Sequence, residues 1–273
     1  MYSVLISLTV ALSVFFGFWQ SDVSLVGWAF LWGVIALAGS MFGINYLMRR
    51  RIMRVMNAMQ TMMLDGQKQI QAKINAYQHK PMGDPKRVMA DMEKLQKKLL
   101  NQALEYTDKL EPFRRWTPLF GRQLATTRMQ FHYQMQEFKK VDELLPKCLI
   151  MDPLSAAMKM ARQYSNKVAV PEIEKTFQKA KARLKYNQSS LLYSLMAWIY
   201  VQNNLIDQAH QVLVKGCADN ENDTLKKNRD RLANNKVKEF SNANIGDEWF
   251  ALFLEQPKFQ MRRQQPRMDG RPF

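Results

Sequence analysis

The sequence predicts an all-α protein built in parts: a transmembrane helical hairpin, a helical stalk, and a run of paired helices. Three observations carry that expectation. Residues 1–48 hold two long apolar runs with no Lys or Arg. Behind them, apolar residues recur at spacings of three and four, interrupted by Pro, Gly and Asn clusters. From residue 122 onward one such pattern returns in units that begin 32 and 36 residues apart.

The apolar runs are Tyr2–Trp19 and Val23–Leu47. At about 1.5 Å rise per residue, each can span a hydrocarbon core roughly 30 Å thick, the first only just. The break Gln20-Ser21-Asp22 suits an interfacial turn, with Trp19 and Trp28 placed as belt residues. A cleaved signal peptide would need a basic leading region, which the first run lacks, and a second apolar run follows at once. A buried soluble hairpin would need polar relief that neither run contains. The basic cluster MRRRIMR (Met48–Arg54) directly follows the second run, so the positive-inside rule puts that end in the cytoplasm. Two spans return the N-terminus to the same side. Both termini are therefore expected to be cytoplasmic.

The formal charge of +16 is unevenly placed. Residues 49–116 carry 15 Lys and Arg against 7 Asp and Glu, nearest the expected membrane surface and its anionic headgroups. Arg49, Arg50, Arg51 and Arg54 are the candidate membrane-surface residues; most of the lysines read as solvated helix face. A nucleic-acid partner would use the charge, but the sequence lacks a stacking platform, a helix-turn-helix signature and a zinc pattern. Cys148 and Cys217 suit a reducing compartment and buried packing.

The segment 49–116 is predicted as a basic juxtamembrane helical hairpin or short coiled coil. Its first helix shows Met56, Met63, Ile70 and Tyr77 at intervals of seven, with Met59 and Ile74 on the adjoining seam. Gly66 and Lys73 weaken a long parallel dimer. The loop HKPMGDPKR (His79–Arg87) ends it. A second helix runs to about Leu110, with Val88, Met92, Leu95, Leu99, Tyr106 and Leu110 on one face. The methionines are either stalk packing or a soft partner surface. EPFRRWTPLFG (Glu111–Gly121) is a joint.

The third part opens the question of repeats. Residues 190–221 place Tyr193, Met196, Ala197, Tyr200, Ala209, Leu213 and Gly216 at the offsets of two short helices packed face to face. Residues 154–187 repeat them with Ala157, Met160, Ala161, Tyr164, Ile173, Phe177 and Ala180. Residues 122–153 match through Val141, Leu145, Cys148 and Pro153, although Arg128 and His132 stand where apolar residues belong. Over about 100 residues the chain thus resembles the tetratricopeptide repeat family, with three divergent units. The resemblance implies an α-solenoid over 117–243, closed by a polar capping helix near Asp223–Phe240. It also implies a concave groove for an extended peptide or partner helix. Position by position, that groove takes Gln123, Thr126, Gln130 and Tyr133 from the first unit. Ser155, Met158, Arg162 and Ser165 come from the second, and Leu191, Ser194, Trp198 and Val201 from the third. Only Arg162 is basic, which departs from members that clamp a C-terminal carboxylate. The apolar trend toward Trp198 suggests an aromatic or hydrophobic anchor on the ligand.

Residues 244–273 form a last part. NIGDEWFALFLEQP (Asn244–Pro257) has too many large apolar residues for one stripe, and reads as a docked terminal helix or a groove-bound peptide. Trp249, Phe250 and Phe253 are expected to pack on the last repeat or beside Trp198. The basic tail Lys258–Phe273 is expected to be disordered.

Reactive constellations are missing. His79, His132 and His210 have no ligand spacing to Cys or carboxylate, so no metal or cofactor is expected. Phosphate loops, nucleophile elbows and paired-carboxylate motifs are absent. The expectation is a non-enzyme: a membrane-anchored scaffold recruiting a protein or peptide partner at the cytoplasmic face. The alternative is a membrane-assembly, transport or secretion component whose hairpin oligomerises while the solenoid docks cargo. Gly33, Ala36, Ala38, Gly39 and Gly43 supply small residues for such helix contact, but no ionisable residue inside either span marks a conduction path.

Overall fold

The computed structural model describes residues 2–20, 26–79, 85–116 and 119–256. Every regular element among them is helical. The expected turn residues Ser21 and Asp22, most of the His79–Arg87 loop, Thr117 and Pro118 of the joint, and the Lys258–Phe273 tail lie outside the described residues. The chain divides into two compact units, Met1–Ile150 and Met151–Phe273. The division falls inside the region expected to form one solenoid.

In the first unit, α1 (Tyr2–Gln20) runs beside the start of α2 (Val26–His79). Both are long and apolar enough to cross a membrane. Their polarity is reversed relative to a soluble helix pair. Small residues meet at the contact: Ser3, Ser7 and Ala11 of α1 are buried, and Gly33 of α2 rests on Ala11 and Phe15. Large apolar side chains such as Leu5, Phe16, Phe30 and Phe42 point outward. Small residues let two backbones approach closely and gain dispersion contacts without needing water to drive them together.

Helix α2 contains no proline and does not stop at the end of its apolar stretch. It continues unbroken for 54 residues, about 80 Å at the usual helical rise. Its distal half packs on α3 (Pro85–Leu110), followed by a 3-10 turn, Glu111–Arg115. The expected α3 face holds: Leu99 and Leu110 are buried and Val88, Met92, Leu95 and Tyr106 are partly covered, joined by Leu100 and Ala103. On α2 the seam runs through Ile52, Val55, Met59, Met63, Gly66, Ile70, Ile74 and Tyr77. Met56 departs from it and is exposed, because an unbent 3.6-residue helix drifts off a strict seven-residue stripe. Gly66 lies directly under Leu99, whose Cδ1 would sit 2.3 Å from an added Cβ. Its place in the seam is thus a close approach between α2 and α3.

Helix α4 (Phe120–Gln134) closes this unit together with α5 (Phe138–Leu144). Phe120 and Leu124 join Ile52 and Leu110 in one apolar cluster; Phe131 and Met135 join Leu100 and Ala103 in another. The mismatch at Arg128 now has a cause. Its guanidinium bonds Thr107 Oγ1 (2.9 Å), Asp108 (2.8 Å) and Glu111 (2.9 Å), so this face of α4 is built for α3. His132 likewise turns to Glu137 at 2.7 Å.

The second unit contains α6 (Pro153–Ser165), α7 (Val170–Lys181), α8 (Ser190–Gln202), α9 (Ile206–Asp219), α10 (Asp223–Ala233) and the single turn α11 (Asp247–Phe250). Asp152 caps α6 by accepting from the Ser155 amide (2.8 Å), and Asn222 caps α10 through Thr224 (2.9 Å). Helix α8 is central. Every residue from Leu191 to Tyr200 is buried, under cover from α6, α7, α9 and α10. Gly216 of α9 lies on the Tyr193 ring, and Ala197 and Ala209 are fully buried in the same pair.

One local motif recurs along the chain. Helices α4, α6, α8 and α10 all end on a left-handed residue: Gln136, Lys167, Asn204 and Asn235, with φ from 56 to 60°. In each, that residue's amide bonds the carbonyl three back, and the next amide bonds the carbonyl five back, at 2.8–3.1 Å. This is the Schellman ending, which satisfies carbonyls left open at a helix terminus.

Adding a methyl group at Gly216 would place it about 2.9 Å from the Tyr193 ring, whose hydroxyl is tied to Asp219. Gly216→Ala should therefore destabilise the α8–α9 pair by about 1–3 kcal/mol. Hydrogen exchange on the full chain checks this: faster exchange of the α8 and α9 amides is expected, with the α2–α3 amides unchanged.

Candidate functional site

The residues expected to line a groove fall into different environments. In the first unit Gln123 is exposed and Gln130 is partly covered. Tyr133 is buried edge-to-face on Phe138 at 5.6 Å. Thr126 is also buried; its hydroxyl donates to a carbonyl, with Arg122 O and Leu149 O both at 3.0 Å, and accepts from the Leu149 amide (2.9 Å). Thr126 therefore fastens the chain after α5 onto α4. In the second unit Ser155, Met158, Leu191 and Ser194 are buried and do not face an open surface. Ser194 lies on the all-buried helix, and its carbonyl accepts from Asn242 Nδ2 (2.9 Å). Arg162 reaches Asn166 Oδ1 (2.9 Å), Ser165 is exposed, and Val201 is partly covered.

Trp198 is where these positions gather chemistry. Its ring meets Tyr164 of α6 edge-to-face at 5.1 Å, and Trp249 of the C-terminal segment edge-to-face at 5.9 Å. Glu255 accepts from both indole N–H groups, Trp198 Nε1 at 2.7 Å and Trp249 Nε1 at 2.9 Å. An indole N–H can only donate, so a carboxylate shared by two of them satisfies both with charge-assisted bonds. The expectation that Trp249 packs on the last repeat or beside Trp198 did not include Glu255. Its one signal in the sequence is an acid that closes the aromatic run Trp249–Leu254.

The C-terminal segment reaches this site by a built path. Asn228 and Asn242, both fully buried, bond each other at 2.9 Å, and Asn228 Nδ2 also donates to Ser241 O (3.0 Å). These bonds fix the strand of chain leaving α10, which then turns at Gly246 (φ 85°) into α11. Trp249 and Leu252 are buried, Phe250 is partly covered, and Phe253 remains exposed. The expected packing thus holds for Trp249, while Leu252 rather than Phe253 is buried beside it in the chain, and Phe253 takes a left-handed φ of 54°.

A second polar cluster ties α7, α8 and α9. Asp219 receives Lys181 Nζ (2.8 Å) and the Tyr193 hydroxyl. Lys181, and then Tyr193, hold its carboxyl below the usual range. Burial raises the Tyr193 hydroxyl, and burial with nearby Glu174 pushes Tyr200 up to about 12. Burial also pushes the Cys217 thiol up, away from the thiolate a nucleophile needs. Among the described residues no group of His, Cys, Asp and Glu could hold a metal ion. The arrangement packs two indoles against each other and holds one carboxylate between their N–H groups.

Two tests follow from this geometry. Deleting residues 244–273 should uncover Trp198 and destabilise the second unit by several kcal/mol, given about 1.5–3 kcal/mol per buried large apolar side chain. Thermal melting and acrylamide quenching of indole fluorescence read both effects; an unchanged melt would refute the packing role. For Asp219 the folded-state value is lowered. Its contribution is full above its unfolded value and disappears as pH falls through the ordinary carboxylate range and below. Protection of the α8–α9 amides should thus fall on acidification in the native chain and change less in Asp219→Asn.

No protein-family model matches the chain, and neither a curated protein nor a solved structure does.

Proposed function

We propose that this protein is a membrane-anchored scaffold. Helices α1 and α2 form a two-span anchor with both termini cytoplasmic, and the α2–α3 pair is its stalk. The paired helices behind it form a tetratricopeptide-like solenoid that recruits a protein partner. The observation that carries the anchor is the reversed polarity of α1 and α2, with serines and a glycine inside and Phe, Leu and Trp outside. In water that surface would be a large exposed apolar patch; in lipid it is matched to its solvent. The exposed Arg49, Arg50, Arg51 and Arg54 support the orientation. The four identical helix endings, spaced by one helix pair, support the repeat reading.

In this reading α10 is the first helix of a fourth, shortened unit, and the segment from Val237 to Glu255 stands where its second helix would be. A partner surface in the second unit then lies around Arg162 and Val201, with the Trp198 ring covered by the protein's own Trp249.

Reporters fused before Tyr2 and after Phe273 should both be labelled from the cytosolic side; a C-terminal reporter shielded from cytosolic reagents would overturn the topology. Partner capture from detergent extracts should be lost when residues 117–273 are removed and kept when Arg162 alone is changed to Lys.

One observation favours a second reading, an oligomeric membrane-assembly or transport component. Gly39 and Gly43 lie one turn apart on α2 with no atom within 4 Å of an added Cβ. That spacing suits contact with another transmembrane helix. Gly39→Leu with Gly43→Leu should abolish in-membrane crosslinking between copies if this reading holds, and leave the chain's behaviour unchanged if the anchor is monomeric.

A further inference from the structure

The apolar lengths of α1 and α2 are bracketed by aromatic residues. Trp19 and Trp28 are exposed near the α1–α2 connection; Tyr2 and Tyr46 are exposed toward the other end. From Tyr2 to Trp19 and from Trp28 to Tyr46 the helices rise about 26 Å and 27 Å. These match a hydrocarbon core with amphipathic rings at both faces.

The Tyr2 end is more than a helix terminus. Ser3 Oγ donates to the Trp116 carbonyl at 2.7 Å, and Arg115 Nη1 donates to the Tyr2 hydroxyl at 3.2 Å. The Tyr2 and Trp116 rings meet edge-to-face at 5.8 Å. Phe113 packs on the cluster of Ile52 and Leu110. Residues more than 100 positions apart thus pin the Glu111–Arg115 turn and Trp116 beside the start of α1, level with the first charges of α2.

Those charges are open. Arg49, Arg50, Arg51 and Arg54 are exposed, and among the described residues none meets a carboxylate. The nearby acids are already engaged: Glu111 holds Arg114 (3.2 Å) and Arg128 (2.9 Å), and Asp108 holds Arg128 (2.8 Å). Successive residues on a helix point about 100° apart, so Arg49, Arg50 and Arg51 cannot converge on one bound anion. They fan outward around α2. That geometry fits a plane of phosphates, each met by a guanidinium fork suited to phosphate oxygens.

We propose that Arg49, Arg50, Arg51, Arg54 and Arg115, with the Tyr2–Trp116 pair, form a collar that binds anionic phospholipid headgroups and holds the Glu111–Trp116 turn at the membrane surface. This rests on the membrane reading above and adds to it a second chain segment, Arg115 with the Tyr2–Trp116 pair. The joint between stalk and repeats is then a lipid-sensing element: its order depends on the charge of the membrane.

The test uses the full chain in nanodiscs of phosphatidylcholine, alone or mixed with phosphatidylglycerol, with amide hydrogen exchange of residues 111–116 as readout. Exchange should slow several-fold when phosphatidylglycerol is present. The slowing should be largely lost in Arg54→Gln with Arg115→Gln, which keeps Arg49, Arg50 and Arg51 to set orientation. Equal exchange in the two lipids would overturn the headgroup site while leaving the anchor standing. Slowing by inorganic phosphate added to phosphatidylcholine nanodiscs would overturn it in favour of a soluble anion. A chain that alkaline carbonate strips from membranes would sink the anchor and the collar together.

Discussion

A helix with no wet side cannot hold its place by itself, and α8 has none over Leu191–Tyr200. The second unit follows from that requirement. Helix α9 approaches closely because Gly216 and Ala209 leave room for Tyr193 and Ala197; α6 and α7 bring Met160, Ile173 and Phe177 to other sides. The C-terminal segment covers Trp198 through Trp249, and α6 meets the same ring through Tyr164. The polar atoms trapped in this packing are mostly served: the Asn220 side-chain oxygen accepts from the Ser189 amide at 3.0 Å, and Asn242 serves the Ser194 carbonyl. Buried amides of this kind stabilise only when their partners are present, so they fix one arrangement of the loops around α8.

The elements that sequence made legible are those with a strong period or a strong contrast. The two apolar runs, the α3 face and the α8–α9 pair each rest on side chains whose burial follows from spacing alone. What spacing could not reveal was which neighbour a face would meet. Arg128 and His132 looked like flaws in a repeat helix. In the structure Arg128 is the side chain that bonds α4 to α3, and a single charged residue carries no periodicity to announce it. Some of the groove positions are covered for a related reason. Offsets borrowed from a repeat family put Ser155, Met158 and Ser194 on an inner surface, but here these small or flexible residues are packed. The acid that completes the aromatic site, Glu255, is 57 positions from Trp198, beyond the reach of any local pattern.

The two units use different chemistry to hold helices together. In α1 and α2 the contact is made of Ser, Ala and Gly, with large apolar side chains pointing outward. In α8 and its neighbours the large side chains are inside and Lys, Gln and Glu are out. One backbone geometry serves both, because a helix satisfies its own peptide groups in either solvent. The four Schellman endings close α4, α6, α8 and α10, where carbonyls released from a helix find a partner.

Helix α2 has a mechanical consequence. Sharp bends in helices arise at prolines, bulges or inserted side chains, and 54 residues pass here without proline. The segment level with Phe42 and the segment level with Tyr77 therefore belong to one lever. A roll of α2 about its axis at Gly33, driven by bilayer thickness or a neighbouring helix, would turn Met59 and Gly66 through the same angle. The α3 ridge that rests on them would have to climb or re-seat. In the membrane reading proposed above, torque applied to the apolar half of α2 would be delivered along the helix to its contact with α3.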